Sequence, residues 1–502
     1  MTNPIKKLAG QTAIYGLSSI VGRLINYLLV PIYTYNFLSH EFGVITELYS
    51  YVAILIVVLT HGMETAFFRF SEQNISQRNT IFSTSLISVF SLAVLFVAAT
   101  SIFGQQIANL IRYPHNHEYI VWFGIIIGLD AIMSIPFALL RAENRPFQFA
   151  FIKLTGIGVN VILVVFFVVA CPWLITNGPE SVAQWVSSFY KPEVGVGYVF
   201  IANLVASTVV AIMLIPVIFR NHLAFSFRMW KTMLLYALPL LVAGLAGIMN
   251  EALDKILLKY LLPQDIAMSQ LGIYGACYKV SVLMIIFIQA FRFAAEPFFF
   301  AEYKNENAKV LYARVMKVFV VVCLFIFLGI LLYMDIIKYF IDESYREGLK
   351  VVPILLVAHI FLGIYFNLSI WYKLTGQTRF GIYIAVIGAF ITILTNVLLI
   401  PVIGYYASAW AHLLCNAVMI AISYYWGRKH YRISYDIKRI FLFIAAALAL
   451  YGLHGLIPSI HQVIDWIISA AFMAIFALAV LTIDAEARET LKPLLHKFAG
   501  KR

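Results

Sequence analysis

Of 502 residues, 62% are apolar and 12% are charged, and the mean hydropathy is +0.89. Soluble domains carry about 25% charged residues, so lipid must solvate most of this chain and a water-soluble globule is excluded. The formal net charge of +12 is spread over short stretches between apolar runs, which is how a membrane protein orients itself and argues against a nucleic-acid partner.

A spanning helix needs about 20 mostly apolar residues. The sequence predicts about fourteen, at 11–37, 43–68, 80–104, 119–140, 147–171, 195–219 and 232–260, then at 271–298, 310–333, 350–372, 380–401, 404–426, 439–457 and 463–483. The first is too long for the core of a cleavable signal, contains Arg23 and lacks a small-residue cleavage site, so it reads as a retained span. Inner segments hold most of the cations, among them Lys6, Lys7, Arg141, Arg145, Arg428 and Lys429. Outer loops hold few: Arg112, Lys191, Lys259, Lys338, Arg346 and Lys350. The loop at 335–350 is nearly balanced against its neighbours. This bias predicts that both termini face the cytoplasm.

A charge in the bilayer centre costs about 2.5–3.5 kcal/mol on insertion scales, so one that persists is expected to face a cavity or a partner. Arg23, in Ser18-Ser19-Ile20-Val21-Gly22-Arg23-Leu24, lies about 18 Å deep in the first span at 1.5 Å per residue. It reads either as a cavity cation or as half of a buried pair with Asp130 of the fourth span. Glu64, near the inner end of the second span, reads as interfacial. The outer stretch 172–194, with Pro172, Gly178, Pro179 and Trp185, predicts a short helix on the membrane surface.

The seventh span carries Asn250, Glu251, Asp254 and Lys255. The i,i+4 spacing of Glu251 and Lys255 predicts a pair, leaving Asp254 as a gate candidate. In the eighth span, Lys279 is a deep cation that either serves a ligand or snorkels outward. Arg292 and Glu296 form an i,i+4 pair or an inner gate, with Gln289 on the same face. Pro31 and Pro239, in the first and seventh spans, are candidate hinges alongside Gly244 and Gly247. The four cysteines, Cys171, Cys277, Cys323 and Cys415, lie in or beside apolar segments without metal or disulfide spacing and read as small apolar filler. The charged tail 484–502 predicts a helix along the inner leaflet.

An internal repeat organises these elements. Leu38-Ser39-His40-Glu41-Phe42-Gly43 after the first span is answered by Leu262-Pro263-Gln264-Asp265 and Leu271-Gly272 after the seventh. Arg141–Phe147 is answered by Leu374–Phe380, Asn160-Val161 by Asn396-Val397, and Gly197-Tyr198 by Gly404-Tyr405. The reading is an all-α membrane protein of two six-helix lobes, 1–221 and 222–432, with two extra helices and the tail in 433–502. Six is even, so the halves share one orientation, and the site is expected between them, lined by spans 1, 2, 7 and 8. Arg23, Lys279, Lys255 and Arg292 all belong to spans 1, 7 and 8, and such a cationic cavity suits an anionic ligand such as pyrophosphate. No phosphate loop, nucleotide site or catalytic motif such as HExxH or GxSxG occurs, and no cofactor or metal is expected.

The opening Gln11–Tyr35 helix with Arg23, the turn Leu38–Val44, the run Leu271–Lys279 and Ala290–Phe300 carry a resemblance over nearly the whole chain. The chain resembles the bacterial polysaccharide-biosynthesis flippases, the Wzx-type O-antigen and capsule translocases. They belong to the MOP superfamily, with the lipid II flippase and the MATE multidrug exporters. The resemblance implies a MATE-like fold and no enzyme activity. It implies passage of undecaprenyl-pyrophosphate-linked oligosaccharide across the bacterial inner membrane, for O-antigen, capsule or exopolysaccharide. The expected substrate-binding residues are Arg23, Lys279, Arg292 and Lys255. The expected coupling or gate residues are Asp130, Glu251, Asp254 and Glu296, with H+ or Na+ as a coupling ion if one is used. The pathway's polymerase and chain-length proteins are the expected protein partners. Fewer arginines in the second span than in the lipid II branch favour the oligosaccharide branch. The alternatives are a MATE-type multidrug or metabolite exporter and a lipid II flippase. An exporter of organic cations would want acids where this chain has cations.

Overall fold

A computed structural model of the chain describes residues 4–221, 223–303, 305–458 and 461–484, with side chains from Ile20 onward. The predicted tail helix and the cations Lys6 and Lys7 lie outside what is described.

In lipid, each backbone N–H and C=O must be paired within its own segment, and a helix does this alone. The elements are α1 (Pro4–Asn36), α2 (Ser39–Gln73), α3 (Ile75–Ile102), α4 (His117–Ala142), α5 (Pro146–Asn177), α6 (Gly197–Phe219) and α7 (Phe227–Leu261). There follow α8 (Gln264–Glu302), α9 (Ala308–Leu332), α10 (Glu343–Leu374), α11 (Arg379–Ile403), α12 (Tyr406–His430), α13 (Ile437–His454) and α14 (Gln462–Ile483). No strand occurs among the described residues. Among the described residues, thirteen helices, α2 to α14, are long and apolar enough to cross a membrane. The 33-residue α1 runs among them, packed on α5 and α8.

The packing repeats as the sequence does. In the first half α3 packs on α4, α4 on α6, α5 on α6 and α1 on α5. Six helices later α9 packs on α10, α10 on α12, α11 on α12 and α7 on α11. The lobes meet where α2 crosses α8 and where α1 meets α8 and α2 meets α7. At the α2–α8 crossing, a methyl group on Gly272 would strike the Ser39 carbonyl, and one on Gly43 the Met268 carbonyl. Small residues let two backbones approach this closely.

Outside the repeat, α13 and α14 pack on α9. Asp484, just after α14, joins them: Lys317 of α9 lies 2.6 Å from its carboxylate and Arg439 of α13 lies 3.7 Å away.

Two helices depart from the sequence expectation. α2 breaks at His61 and Gly62, both in the left-handed region (φ 33° and 74°). α5 runs through Pro172 to Asn177 because a π-helical turn at Phe166–Ala170 shifts the backbone register just before the proline,. Within the stretch where a short helix is expected, one is present at Glu180–Ser187 with Trp185 exposed. All four cysteines are buried and free.

Candidate functional site: a two-faced cavity between the lobes

A cavity of about 360 Å³ lies between the lobes. The expected helices α1, α2, α7 and α8 supply most of its wall, and α5 and α6 add Asn160 and Asn203. The charged lining comes from the second lobe: Glu251 and Lys255 of α7 and Lys279 of α8. The first lobe offers neutral groups, chiefly Asn26, Tyr49, Asn160 and Asn203.

Lys279 is exposed into this space, as is Glu251. Among the described residues, neither charged group has a hydrogen-bond or ion-pair partner. Lys279 therefore does not snorkel to the surface; it opens on the cavity, where water or a ligand must solvate it.

Lys255 and Asp254 are placed differently. Asp254 is fully buried. Its carboxylate receives Tyr274 Oη at 2.7 Å, faces His412 Nε2 at 3.1 Å and takes Lys255 Nζ at 3.2 Å. Lys255 also donates to the Glu251 carbonyl at 2.5 Å and stands 4.3 Å from the Tyr278 ring centre. The expected side-chain pair of Glu251 with Lys255 does not form. A fully buried carboxylate needs a counter-charge, and Asp254 claims the ammonium, which frees the Glu251 carboxylate. Lys255 thus borders the cavity with its charge already engaged.

Asp130 belongs to the first lobe, where Ser207 Oγ donates to it at 2.9 Å and Asn203 Nδ2 donates to Tyr49 Oη at 2.6 Å. It does not pair with Arg23, which overturns that reading of the arginine. Arg23 is exposed and hydrogen-bonds Gln289 of α8 across the lobe boundary. Glu251 and Arg292 are within electrostatic reach of it. Gln289 follows Lys279 by about ten residues, so Arg23 and Lys279 sit about 15 Å apart along α8. Arg292 pairs with Glu296 at 3.0 Å, and Lys373 of α10 holds the same carboxylate at 2.6 Å. Glu296 is therefore tied within its own lobe, and Glu64 with Arg141 is its counterpart in the first lobe.

Above the cavity, on the side where α2 begins and α7 ends, the lobes are bolted together. Glu47 of α2 and Lys259 of α7 pair at 2.8 Å, with exposures of 0% and 5%. Tyr113 Oη donates to the same carboxylate at 2.5 Å, and Lys259 donates to the Ile111 carbonyl at 2.6 Å. The segment leading into α10 and that helix's first turn make the symmetric crossing: Tyr345 Oη donates to the Phe37 carbonyl at 2.7 Å, and Phe340 stacks on Tyr27 at 4.3 Å. At the opposite end the lobes meet through other contacts: Arg69 of α2 lies 4.2 Å from the Tyr236 ring of α7, Trp230 Nε1 of α7 donates to Ser88 Oγ of α3 at 2.9 Å, a methyl group on Gly62 would crowd the Ala237 carbonyl, and Arg23 meets Gln289. A cation–π contact is worth about 0.5–2 kcal/mol, whereas breaking a buried ion pair costs about 3–5 kcal/mol.

Sequence reasoning missed Glu47, Lys259 and Lys153. Lys153, on α5, lies within electrostatic reach of Arg23 and Arg141. A lone lysine two turns inside an apolar span was the available signal.

Solved structures share this fold. A lipid II flippase MurJ in an inward closed conformation aligns with a TM-score of 0.71 at 13% identity, covering 93% of this chain and 99% of that one. An inward-facing multidrug resistance MATE transporter of the MOP superfamily aligns with a TM-score of 0.64 at 14% identity, over 81% and 94%. A MOP superfamily transporter from Pyrococcus furiosus, described as having a reversed binding-pocket polarity, aligns at 0.59 with 14% identity, over 84% and 95%. The chain has the MATE- and MurJ-like fold of MOP transporters. No family model and no curated protein sequence matches it.

Proposed function

We propose that this protein carries an undecaprenyl-pyrophosphate-linked oligosaccharide from the inner to the outer leaflet of the bacterial cytoplasmic membrane by alternating access. The moving parts are lobes 1–221 and 222–432, with 433–502 as an appended pair of helices and a tail. The observation that carries this reading is the unpaired Lys279 ammonium inside the interlobe cavity. Arg23, Arg292 and Lys153 stand inward of it and provide a cationic approach.

The lipid's head enters from the end carrying Arg69 and meets Arg23 first. Arginine suits this step because it stays charged and binds phosphate oxygens in pairs. The head then passes along α8 to Lys279 while the polyprenyl tail remains in lipid. A pyrophosphate diester carries about two negative charges. An inside-negative potential of 100 mV therefore favours its outward passage by about 4.6 kcal/mol, at about 2.3 kcal/mol per charge. Ion coupling is not required; Asp130 and the Asp254 network are the stations available to H+ or Na+.

A second reading, export of organic cations, draws support from the unpaired Glu251 carboxylate beside Tyr33 and Tyr278 and from the MATE likeness. Purified protein in proteoliposomes separates the two. Flipping of a fluorescent polyprenyl-pyrophosphate sugar without ethidium transport supports the flippase; ethidium extrusion without lipid flipping overturns it.

A further inference from the structure

The two lobes carry matched asparagines in unmatched surroundings. Asn396 of α11 is fully buried; its Oδ1 accepts from Ser408 Oγ at 3.1 Å and its Nδ2 donates to the Thr392 carbonyl at 2.8 Å. Its repeat partner Asn160 of α5 borders the cavity, and the Asn160 Oδ1 is buried with no hydrogen-bond partner. Asn250 and Asn26 form a second matched pair, standing equally far ahead of the turns at Leu262 and Leu38. Asn250 Oδ1 accepts from Thr392 Oγ1 at 3.2 Å. Asn26 is exposed on the cavity wall, and among the described residues it has no hydrogen-bond partner.

Both asparagines of the second lobe thus complete that lobe's interior, and both of the first lobe face open space. A buried carbonyl oxygen without a donor is unfavourable and rare in a protein interior. Tyr49 adds a donor on the same wall, because its oxygen already accepts from Asn203 and its proton remains free. The wall is neutral and built of amides and a phenol, and it faces Lys279. A ligand with a hydroxyl-rich neutral end joined to an anion satisfies both sides at once. Ligand pockets span roughly 300–1,000 Å³, so a cavity of about 360 Å³ suits the pyrophosphate and the sugar next to it, not a long glycan.

We infer that the wall formed by α1, α2, α5 and α6 is a sugar subsite, in which Asn160 and Asn26 bind the hydroxyl or acetamido groups of the sugar attached to the pyrophosphate. This rests on the reading of the protein as a carrier of polyprenyl-pyrophosphate sugars. Within the cavity, specificity then resides in the first lobe, and the phosphate charge is met by Lys279 of the second.

The test measures binding in lipid nanodiscs with three probes: undecaprenyl pyrophosphate, and the same lipid bearing N-acetylglucosamine or galactose. The wild type should bind at least one glycosylated probe about tenfold more tightly than the bare lipid, the equivalent of 1.4 kcal/mol. Asn160→Ala and Asn26→Ala should each reduce that preference several-fold while leaving affinity for the bare lipid within twofold, which also shows that the variants fold. Lys279→Ala should weaken all three probes by the same factor. A wild type with no preference for either sugar, or asparagine variants that weaken all probes equally, would overturn the subsite and leave the carrier reading standing. A wild type that fails to bind even the bare lipid would overturn the carrier reading, and the subsite with it.

Discussion

Glu47 and Lys259, separated by 212 positions in the chain, form a buried ion pair at 2.8 Å that fastens α2 to α7 above the cavity. Removing one partner leaves a buried charge uncompensated, at about 3–5 kcal/mol, whereas replacing both with apolar residues is often neutral. Lys259→Met is therefore expected to shift the protein toward the form open on this side. The double variant Glu47→Leu, Lys259→Met should restore closure. Labelling of a cysteine introduced at Ser50, on the cavity wall, by a membrane-impermeant maleimide added from outside checks this, since the native cysteines are buried. Unchanged labelling in Lys259→Met would remove the pair from the gate.

Lys279 and Arg23 are expected to differ in what replaces them. Lys279→Ala should lower flipping at least about tenfold, the scale of one lost charge-assisted contact, and Lys279→Arg should retain most of it. Arg23→Ala should lower flipping similarly, while Arg23→Lys recovers only part because lysine lacks the paired donors. The readout is the initial flipping rate in proteoliposomes. Near-normal flipping by Arg23→Ala would exclude the arginine from the path.

The Asp254 network makes a stability prediction. Asp254→Ala strands Lys255 and empties the acceptor used by Tyr274 and His412. A loss of about 3–5 kcal/mol is expected, seen as a lower midpoint in thermal unfolding of the detergent-solubilised protein. Glu251→Gln, whose carboxylate has no partner to lose among the described residues, should leave that midpoint unchanged.

These contrasts show where reading the sequence succeeds. The spans, the repeat and the choice of α1, α2, α7 and α8 were legible because hydropathy and spacing are properties of neighbouring residues. The Glu251–Lys255 pair was misread for the same reason: i,i+4 spacing describes one helix, while the placement of Lys255 is decided by the burial of Asp254 among α8 and α12. Glu47 and Lys259 looked like ordinary charges near helix ends. Nothing local distinguishes a lysine in an outer loop from one locked on a glutamate of the other lobe. The break at His61 and Gly62 was equally hidden, since the apolar run continues through it.

The crossing at Tyr345 gives one more expectation. The segment from Tyr339 to Tyr345 closes over α1 through Tyr345 and Phe340. Tyr345→Phe removes the hydroxyl that reaches the Phe37 carbonyl but keeps the edge-on contact with Phe42. A modest effect is expected, about 0.5–1.5 kcal/mol for one hydrogen bond, visible as a small rise in the same maleimide labelling. A rise as large as that of Lys259→Met would mean that the two crossings contribute equally.

The crossing at Gly43 and Gly272 brings two backbones together, with Ser39 Oγ and Ser269 Oγ 2.7 Å apart beside them. Van der Waals contact between them loses about a quarter to a half of its attraction over a gap of roughly 0.5–1 Å, so a small parting already weakens it. A long flexible pair would follow the parting lobes; this crossing holds only while the two helices stay pressed together. A substitution at either glycine would therefore act on the whole interlobe contact rather than on one local bond.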